Sequence, residues 1–155
     1  MELPDIRTLV PHAGPMVLID RAISADEENL CAEVRIHSES LFCVNGAVGS
    51  WVGIEYMAQA IGAWAGYTAR LRGEPVKRGL LLGTRRYESV RPCFSVGALL
   101  RIYVRRLLQE ANGLASFECR IEDECGVIAS ANLSVFQSTE PAEFSERISA
   151  WINPS

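Results

Sequence analysis

The sequence predicts an α+β domain in which one long antiparallel sheet wraps around a single central helix. The first observation is the stretch 51–71, which carries one charge, Glu55, before it reaches Arg70. The second is the series of strand-like runs after it, at 79–90, 97–109, 114–123 and 127–137. Short turns join these runs, and this spacing is typical of an antiparallel meander. The 155 residues fit one domain, 1–155.

Two further strands are predicted before the helix, at 17–24 and 29–37, joined by an acidic turn at 26–28. The second alternates between apolar and polar residues, which is the pattern of a half-buried strand. Its predicted core-facing residues are Leu30, Ala32, Val34 and Ile36, and its predicted outward-facing residues are Cys31, Glu33, Arg35 and His37.

The stretch 51–71 is interpreted as a buried helix rather than a membrane span. Its length approaches the roughly 20 residues that a span requires, but it contains Glu55, Gln59 and three glycines. A helix that is apolar on most of its faces in a soluble protein is usually buried by the rest of the fold. Ser50 is the predicted N-cap and Gly73 the predicted C-terminal stop.

The tail 141–152 is a predicted short helix with Pro141 near its start. An antiparallel sheet of this kind leaves edges that need covering, and side-by-side dimerisation is one way to cover them.

Composition excludes several classes of protein. A net charge of −4 argues against a nucleic-acid binder with a strong overall positive field. The five cysteines show no CxxC spacing, and the N-terminus has no signal-peptide pattern, so reduced thiols in a cytoplasmic protein are expected. Two histidines are too few for an ordinary zinc site, so no metal is expected.

The charges are unevenly distributed along the chain. Between residues 70 and 106, ten cations and two acids give a net charge of +8, and nine of the ten cations are arginines. Two interpretations stay open: a docking surface for an acidic partner, or a solvated face of two strands and a helix end.

Glu55 is the sharpest candidate for chemistry, because it is the only charged residue between positions 51 and 69. Burial disfavours a carboxylate relative to the carboxylic acid, and a carboxylic acid can act as a general acid. Gln59 lies one turn later on the same face and can hydrogen-bond to Glu55 or to a ligand. A glutamate that only faces a crevice, or pairs with an arginine of the sheet, explains the pattern equally well.

The loop 45–50, rich in small residues, leads into the helix. Free N–H groups at a helix start can polarise a carbonyl oxygen, although most loops of this composition are only turns. His12 and His37 are the two histidines, and a lone histidine is more often structural than catalytic.

Three motifs resemble the 3-hydroxyacyl-acyl carrier protein dehydratases. Pro11-His12 followed by Pro15 to Arg21 resembles their opening. The residues EYMAQA, from Glu55 to Ala60, resemble their helix motif EAMAQA, and 79–92 resembles their next strand and turn. The matches run in order over roughly residues 4–137. The stretches WVGIEYMAQAIGAWAG and GLLLGTRR look closest to a divergent subgroup, the dehydratase-like proteins of bacterial aryl polyene clusters.

The resemblance implies a hotdog fold, active as a dimer, and a reaction on a substrate carried by the phosphopantetheine arm of an acyl carrier protein, with no other cofactor. A 3-hydroxyacyl thioester loses water to give the trans-2-enoyl thioester. In the family a histidine takes the α-proton, a helix carboxylate protonates the leaving hydroxyl, and backbone N–H groups bind the thioester oxygen. Glu55 matches the carboxylate, and Gly46, Gly49 and Ser50 match the oxyanion region.

The family's histidine is missing from its motif. Leu41 to Gly46 match the first part of FFxGHFPG, and Asn45 stands where the histidine is expected. Asparagine cannot act as a base at neutral pH. His37 is a candidate for the base from the end of its strand, but it lies eight residues before the family's position. In the family's dimers the histidine and the carboxylate come from opposite subunits. The resemblance therefore implies a hotdog partner that supplies the histidine.

Other assignments stay open: a hotdog thioesterase in which Glu55 activates water, a non-catalytic acyl-binding subunit, or a homodimer in place of a heterodimer. The candidates for docking an acidic acyl carrier protein are Arg78, Arg85 and Arg86, because arginine binds phosphate with a fork of donors.

Overall fold

The computed structural model describes residues 3–10, 16–75 and 79–137. The predicted helix at 141–152, His12 and Arg78 lie outside the described residues. The elements in chain order are helix α1 (Ile6–Leu9), strands β1 (Arg21–Ala25), β2 (Asn29–Arg35), β3 (Cys43–Val44) and β4 (Ala47–Gly49), a 3-10 turn (Ser50–Val52), helix α2 (Gly53–Leu71), and strands β5 (Gly79–Ser89), β6 (Cys93–Ser95), β7 (Leu99–Gln109), β8 (Leu114–Asp123) and β9 (Gly126–Gln137).

Among the described residues, six strands form one antiparallel sheet in the order β1-β2-β7-β8-β9-β5. Helix α2 packs against this sheet and contacts all six strands. Strands β3, β4 and β6 form a smaller sheet beside the start of the helix. The predicted α+β class, a sheet wrapped around one long helix, is confirmed.

The core lies between α2 and one face of the large sheet. Strand β7 shows why, because Leu100, Ile102 and Val104 are buried while the intervening Arg101 and Arg105 are exposed. From the helix, residues such as Met57 and Trp64 complete the core. Each large apolar side chain that is fully buried contributes roughly 1.5–3 kcal/mol relative to exposure.

The helix is less enclosed than its composition predicted. Glu55, Ala58, Gly62 and Ala65 form a strip along α2 that is only half-buried. The opposite side of the helix faces the sheet, so this strip is left to line a cleft. No described helix is long and apolar enough to cross a membrane.

Two strand predictions need correction. Strand β1 begins at Arg21 rather than at 17, because the Leu18 N–H donates to the side chain of Gln59 instead of to a neighbouring strand. In β2, Cys31 and Glu33 are buried rather than half-solvated. Arg21 and Arg101 reach over Glu33 from the two neighbouring strands, at 3.0 and 3.9 Å, and cover that face.

The predicted C-terminal end of the helix is confirmed, whereas its predicted N-cap is wrong. Gly73 is the residue after the cap, with φ +69, and the Gly73 and Glu74 N–H groups bond to the carbonyls of Arg70 and Ala69. This is the Schellman arrangement that a glycine at this position favours. The predicted N-cap at Ser50 is wrong, because Ser50 begins a 3-10 turn and no side chain caps the helix.

The segment predicted as a loop at 45–50 forms a tight hairpin instead. Strands β3 and β4 pair directly, and Asn45 and Gly46 make the turn with φ values of +53 and +81. Two positive φ values are the requirement of a type I′ turn, for which Asn-Gly is the favoured pair. The Asn-Gly pair is therefore a sequence signal for a hairpin, and the prediction of a simple loop leading into the helix was wrong.

Candidate active site

Glu55 lies in the first turn of α2 and is held there by Gln59. The Gln59 Nε2 donates to Glu55 Oε1 at 3.2 Å, as their spacing of one helical turn predicted. Glu55 is half-buried, whereas the Gln59 side chain is completely buried.

The amide of Gln59 is itself fixed by the backbone just before β1. Its Oε1 accepts a hydrogen bond from Leu18 N at 2.8 Å, and its Nε2 donates to Met16 O at 2.7 Å. Because one backbone partner is a hydrogen-bond donor and the other an acceptor, only one orientation of the amide satisfies both. Gln59 therefore acts as a positioning residue that presents its N–H to the carboxyl group of Glu55. This anchoring was not predicted from the sequence.

A cleft of about 430 Å³ runs along the half-buried strip of α2, and Glu55 lies among its lining residues. On the helix side the lining includes small residues such as Ala58 and Gly62, whose short side chains leave room in the cleft. Leu80 of β5 and Val135 of β9 contribute to the opposite wall. A groove of this size that combines apolar side chains with carboxyl groups, Glu55 among them, suits a ligand that is an extended hydrocarbon chain with a reactive group.

The predicted oxyanion residues precede the helix, in the β3–β4 hairpin and the 3-10 turn that follows it. The Ser50 N–H donates to Pro92 O at 3.0 Å, and the Ser50 carbonyl accepts from the Tyr87 hydroxyl. The Ser50 N–H is therefore not available to a thioester oxygen in this conformation. At Gly49 an added Cβ would clash with the Trp51 indole. The oxyanion role of Gly46 and Gly49 stays a prediction.

Asn45, at the position of the missing histidine, and His37 do not lie in the cleft. Asn45 is exposed in the β3–β4 turn, and His37 is exposed beyond the end of β2. Neither is among the residues that line the cleft with Glu55. The described part of the chain also contains no group of three or more His, Cys, Asp or Glu residues that could hold a metal ion.

The basic segment separates into paired and unpaired arginines. Arg91, Arg101 and Arg105 form ion pairs with Asp123, Glu33 and Glu118, respectively. Arg85 and Arg86 are exposed on β5, and within the described ranges no acidic side chain pairs with either of them. The charges of these two arginines are therefore available to another molecule, as is that of the exposed Arg72 at the end of α2.

Buried thiols do not contribute a nucleophile to this site. Burial raises the pKa of Cys119 to about 12, and burial also raises the pKa of Cys31. Both thiols therefore stay protonated at neutral pH, and the thiolate is the reactive form.

A thiol-labelling experiment checks this placement. In the folded protein we expect an alkylating reagent to modify the exposed Cys125 first and to reach Cys119 only after unfolding. Peptide mapping by mass spectrometry after increasing labelling times measures the order. Equal early labelling of the two cysteines would contradict the burial of Cys119.

Comparisons with known proteins identify the family of this chain. The model of the ApeP-like family, described as ApeP dehydratase, matches residues 4–146. A chain of the dehydratase heterocomplex ApeI:P from Xenorhabdus doucetiae is similar, with 29% identity and a TM-score of 0.88, over 95% of this chain and 99% of that one. No curated protein matches this chain.

More distant structures share only the fold. A hypothetical thioesterase with coenzyme A from Streptococcus pneumoniae is 11% identical, with a TM-score of 0.61 over 76% of this chain and 84% of that one. Cj0977, a sigma28-regulated virulence protein from Campylobacter jejuni, is 12% identical, with a TM-score of 0.62 over 87% and 89%. The family match covers most of the chain, and the chain therefore belongs to the ApeP-like family of hotdog dehydratases.

Proposed function

We propose that this chain is the carboxylate-bearing subunit of a 3-hydroxyacyl-acyl carrier protein dehydratase and needs a hotdog partner that carries the catalytic histidine. One observation supports this most directly. Glu55 is anchored by Gln59 among the described residues that line the cleft, and His37, the one histidine within the described ranges, is not among them.

The chemistry divides between the two subunits. The partner's histidine removes the α-proton of the 3-hydroxyacyl thioester, and the electron pair of that C–H bond forms the new double bond. The bond between Cβ and the hydroxyl oxygen breaks, and Glu55, as a carboxylic acid, gives its proton to the departing oxygen. Water and the trans-2-enoyl thioester are the products. Gln59 keeps the Glu55 carboxyl group in place for this transfer.

Strand β5 provides the edge at which a partner sheet would pair. Among the described residues its only neighbour is β9, so one side of an eleven-residue strand has no partner strand. Leu81 and Leu82 on this strand are 37% and 40% exposed. Long apolar edges are normally covered in native proteins. The similar ApeI:P assembly is a heterocomplex, which favours a second, different hotdog subunit over a copy of this chain.

Reconstitution tests the proposal. The chain alone should be nearly inactive on a 3-hydroxyacyl thioester of an acyl carrier protein, and the mixture with its histidine-bearing hotdog partner should form the enoyl product. Mass spectrometry separates the enoyl thioester from a free acid. Full dehydration by the chain alone would overturn the need for a partner. Release of free acid would identify a thioesterase instead.

The carrier protein is acidic and its prosthetic arm carries a phosphate, so we assign its docking to Arg85 and Arg86. Reversing both charges, Arg85→Glu with Arg86→Glu, should weaken carrier binding by about tenfold, because the attraction at an exposed charge becomes repulsion. Affinity measured by calorimetry at increasing salt should also depend less on ionic strength.

The matched control is the double reversal Arg105→Glu with Arg120→Glu on β7 and β8. Both arginines are exposed and lie on the sheet face away from the helix. This control changes the net charge by the same amount as the reversal of Arg85 and Arg86, and it should leave carrier affinity nearly unchanged. Gel filtration of each variant with the partner subunit separates lost carrier binding from lost assembly. Equal effects of the two reversals would rule out a local docking site on β5.

A further inference from the structure

We propose that Tyr87 is a positioning residue that couples β5, the edge strand of the described sheet, to the start of α2 beside Glu55. The inference rests on the proposed function, since it assigns Tyr87 a task in the same site. Through Tyr87, strand β5, the edge that would bind the partner subunit, controls the position of the Glu55 carboxyl group.

A bulge in β5 aims Tyr87 at the helix. Arg85 pairs with Asn132 and Glu88 pairs with Ser130, so Arg86 and Tyr87 together stand opposite one residue, Ala131. Bulges of this kind redirect side chains and occur often beside active sites.

Strict alternation along β5 would give the opposite result. Thr84 faces the same side as its buried partner Leu133, so the regular pattern would turn Arg86 inward and Tyr87 outward. Instead Arg86 is exposed, with φ +54, and Tyr87 is half-buried against the helix. A positive φ is uncommon for a residue other than glycine. The strand therefore adopts an unfavourable conformation at the position that turns Tyr87 inward.

The Tyr87 hydroxyl contacts the backbone at the start of the helical segment. It donates a hydrogen bond to the Ser50 carbonyl. Gly53, the first residue of α2, leaves the space that the hydroxyl occupies, because an added Cβ would clash with it. Burial raises the pKa of Tyr87 to about 12, so the hydroxyl remains a neutral donor throughout the physiological range.

The backbone of Ser50 is thus held from two segments at once, a strand and a turn. Tyr87 of β5 binds its carbonyl, and Pro92, in the turn before β6, accepts its N–H at 3.0 Å. Ser50 precedes Glu55 by five residues, so the position of the Ser50 backbone sets where the first turn of α2 places the carboxyl group. A misplacement of about 1 Å in a reacting group can cost about 10²-fold in rate.

Tyr87→Phe in the reconstituted pair is the test, because it removes only the hydroxyl group. We expect kcat to fall by up to about 10²-fold, with KM and the affinity between the subunits nearly unchanged. Tyr103→Phe is the matched control, since Tyr103 lies on the outer face of β7 away from the helix. We expect wild-type kcat for the control. A purely structural role for Tyr87 would lower the melting temperature and leave kcat intact, and that result would overturn the proposal.

A second pair of variants tests the packing without any activity measurement. Gly53→Ala should destabilise the fold in the wild-type background, because the added methyl group collides with the Tyr87 hydroxyl. Combined with Tyr87→Phe it should be much less harmful. Additive effects of the two changes would overturn the close approach. Hydrogen exchange at the amides of Val52 and Gly53 should accelerate in Tyr87→Phe and not in Tyr103→Phe.

Failure of the inference and failure of the proposed function give different results. If the wild-type pair does not dehydrate, or Glu55→Gln is harmless, the proposed function fails and the assignment of Tyr87 to that reaction fails with it. If the wild-type pair is active, Glu55→Gln is inactive and Tyr87→Phe keeps full kcat, only the inference about Tyr87 is wrong.

Discussion

Dehydration by the reconstituted pair should fall by about 10²–10⁴-fold when Glu55 is replaced by Gln, because the substitution removes the proton donor and little else. Glutamine has nearly the same shape as glutamic acid, and its side chain can still accept a hydrogen bond from Gln59 at the Oε1 position. The measurement is single-turnover formation of the enoyl thioester with the partner subunit in excess, which reports the chemical step rather than product release.

Stability should respond very differently to the same change. The two backbone hydrogen bonds of Gln59, to Leu18 N and Met16 O, do not involve Glu55 and remain in the variant. We therefore expect the melting temperature of Glu55→Gln to stay close to that of the wild type. A large loss of stability would mean that Glu55 fills a polar niche in the fold and has no specific role in proton transfer.

The matched control changes another carboxyl group in the same cleft. Glu110, in the turn after β7, also lines the cleft and is exposed. Glu110→Gln replaces a carboxyl group of the cleft with an amide, as Glu55→Gln does, and should leave the rate of dehydration nearly unchanged. A similar loss of rate in both variants would point to the overall charge of the cleft and contradict a general acid at Glu55.

Local patterns predicted the elements of the fold better than they predicted its contacts. The nearly uncharged stretch 51–71 and the alternation along β7 each report burial, which depends mainly on the residues themselves. A local pattern also predicted Glu55 and Gln59, because a single charged residue in an otherwise apolar helix is unusual. The spacing of one helical turn then predicted their contact correctly.

Contacts between segments far apart in sequence were beyond this kind of prediction. Gln59 binds the backbone 41 and 43 residues before it, and Tyr87 binds the carbonyl of a residue 37 positions earlier. No periodicity encodes such pairs, since they depend on how the sheet curves around the helix. The bulge at Arg86 shows the same limit, because alternation alone would have turned Tyr87 away from the helix.

Replacing Gln59 with Met should destabilise the protein and also slow dehydration, in contrast with Glu55→Gln. Methionine keeps the volume of a completely buried side chain but offers no strong donor or acceptor. The Leu18 N–H and the Met16 carbonyl then lose their partner, and each unsatisfied group costs about 1–3 kcal/mol if it stays buried. In a domain of this size each kcal/mol lowers the melting temperature by about 2–4 °C.

The two variants together separate the structural task of Gln59 from its effect on Glu55. Thermal unfolding should give a clear loss for Gln59→Met and almost none for Glu55→Gln, whereas single-turnover kinetics of the pair should show a loss for both. The rate of Gln59→Met is measured well below its own melting temperature, so that unfolded protein does not contribute to the loss. Gln59→Met keeps the Glu55 carboxyl group as a proton donor but lets it sample more positions, so the loss of rate should be smaller than for Glu55→Gln. Unchanged kinetics in a destabilised Gln59→Met protein would show that Glu55 does not depend on the 3.2 Å contact for its position.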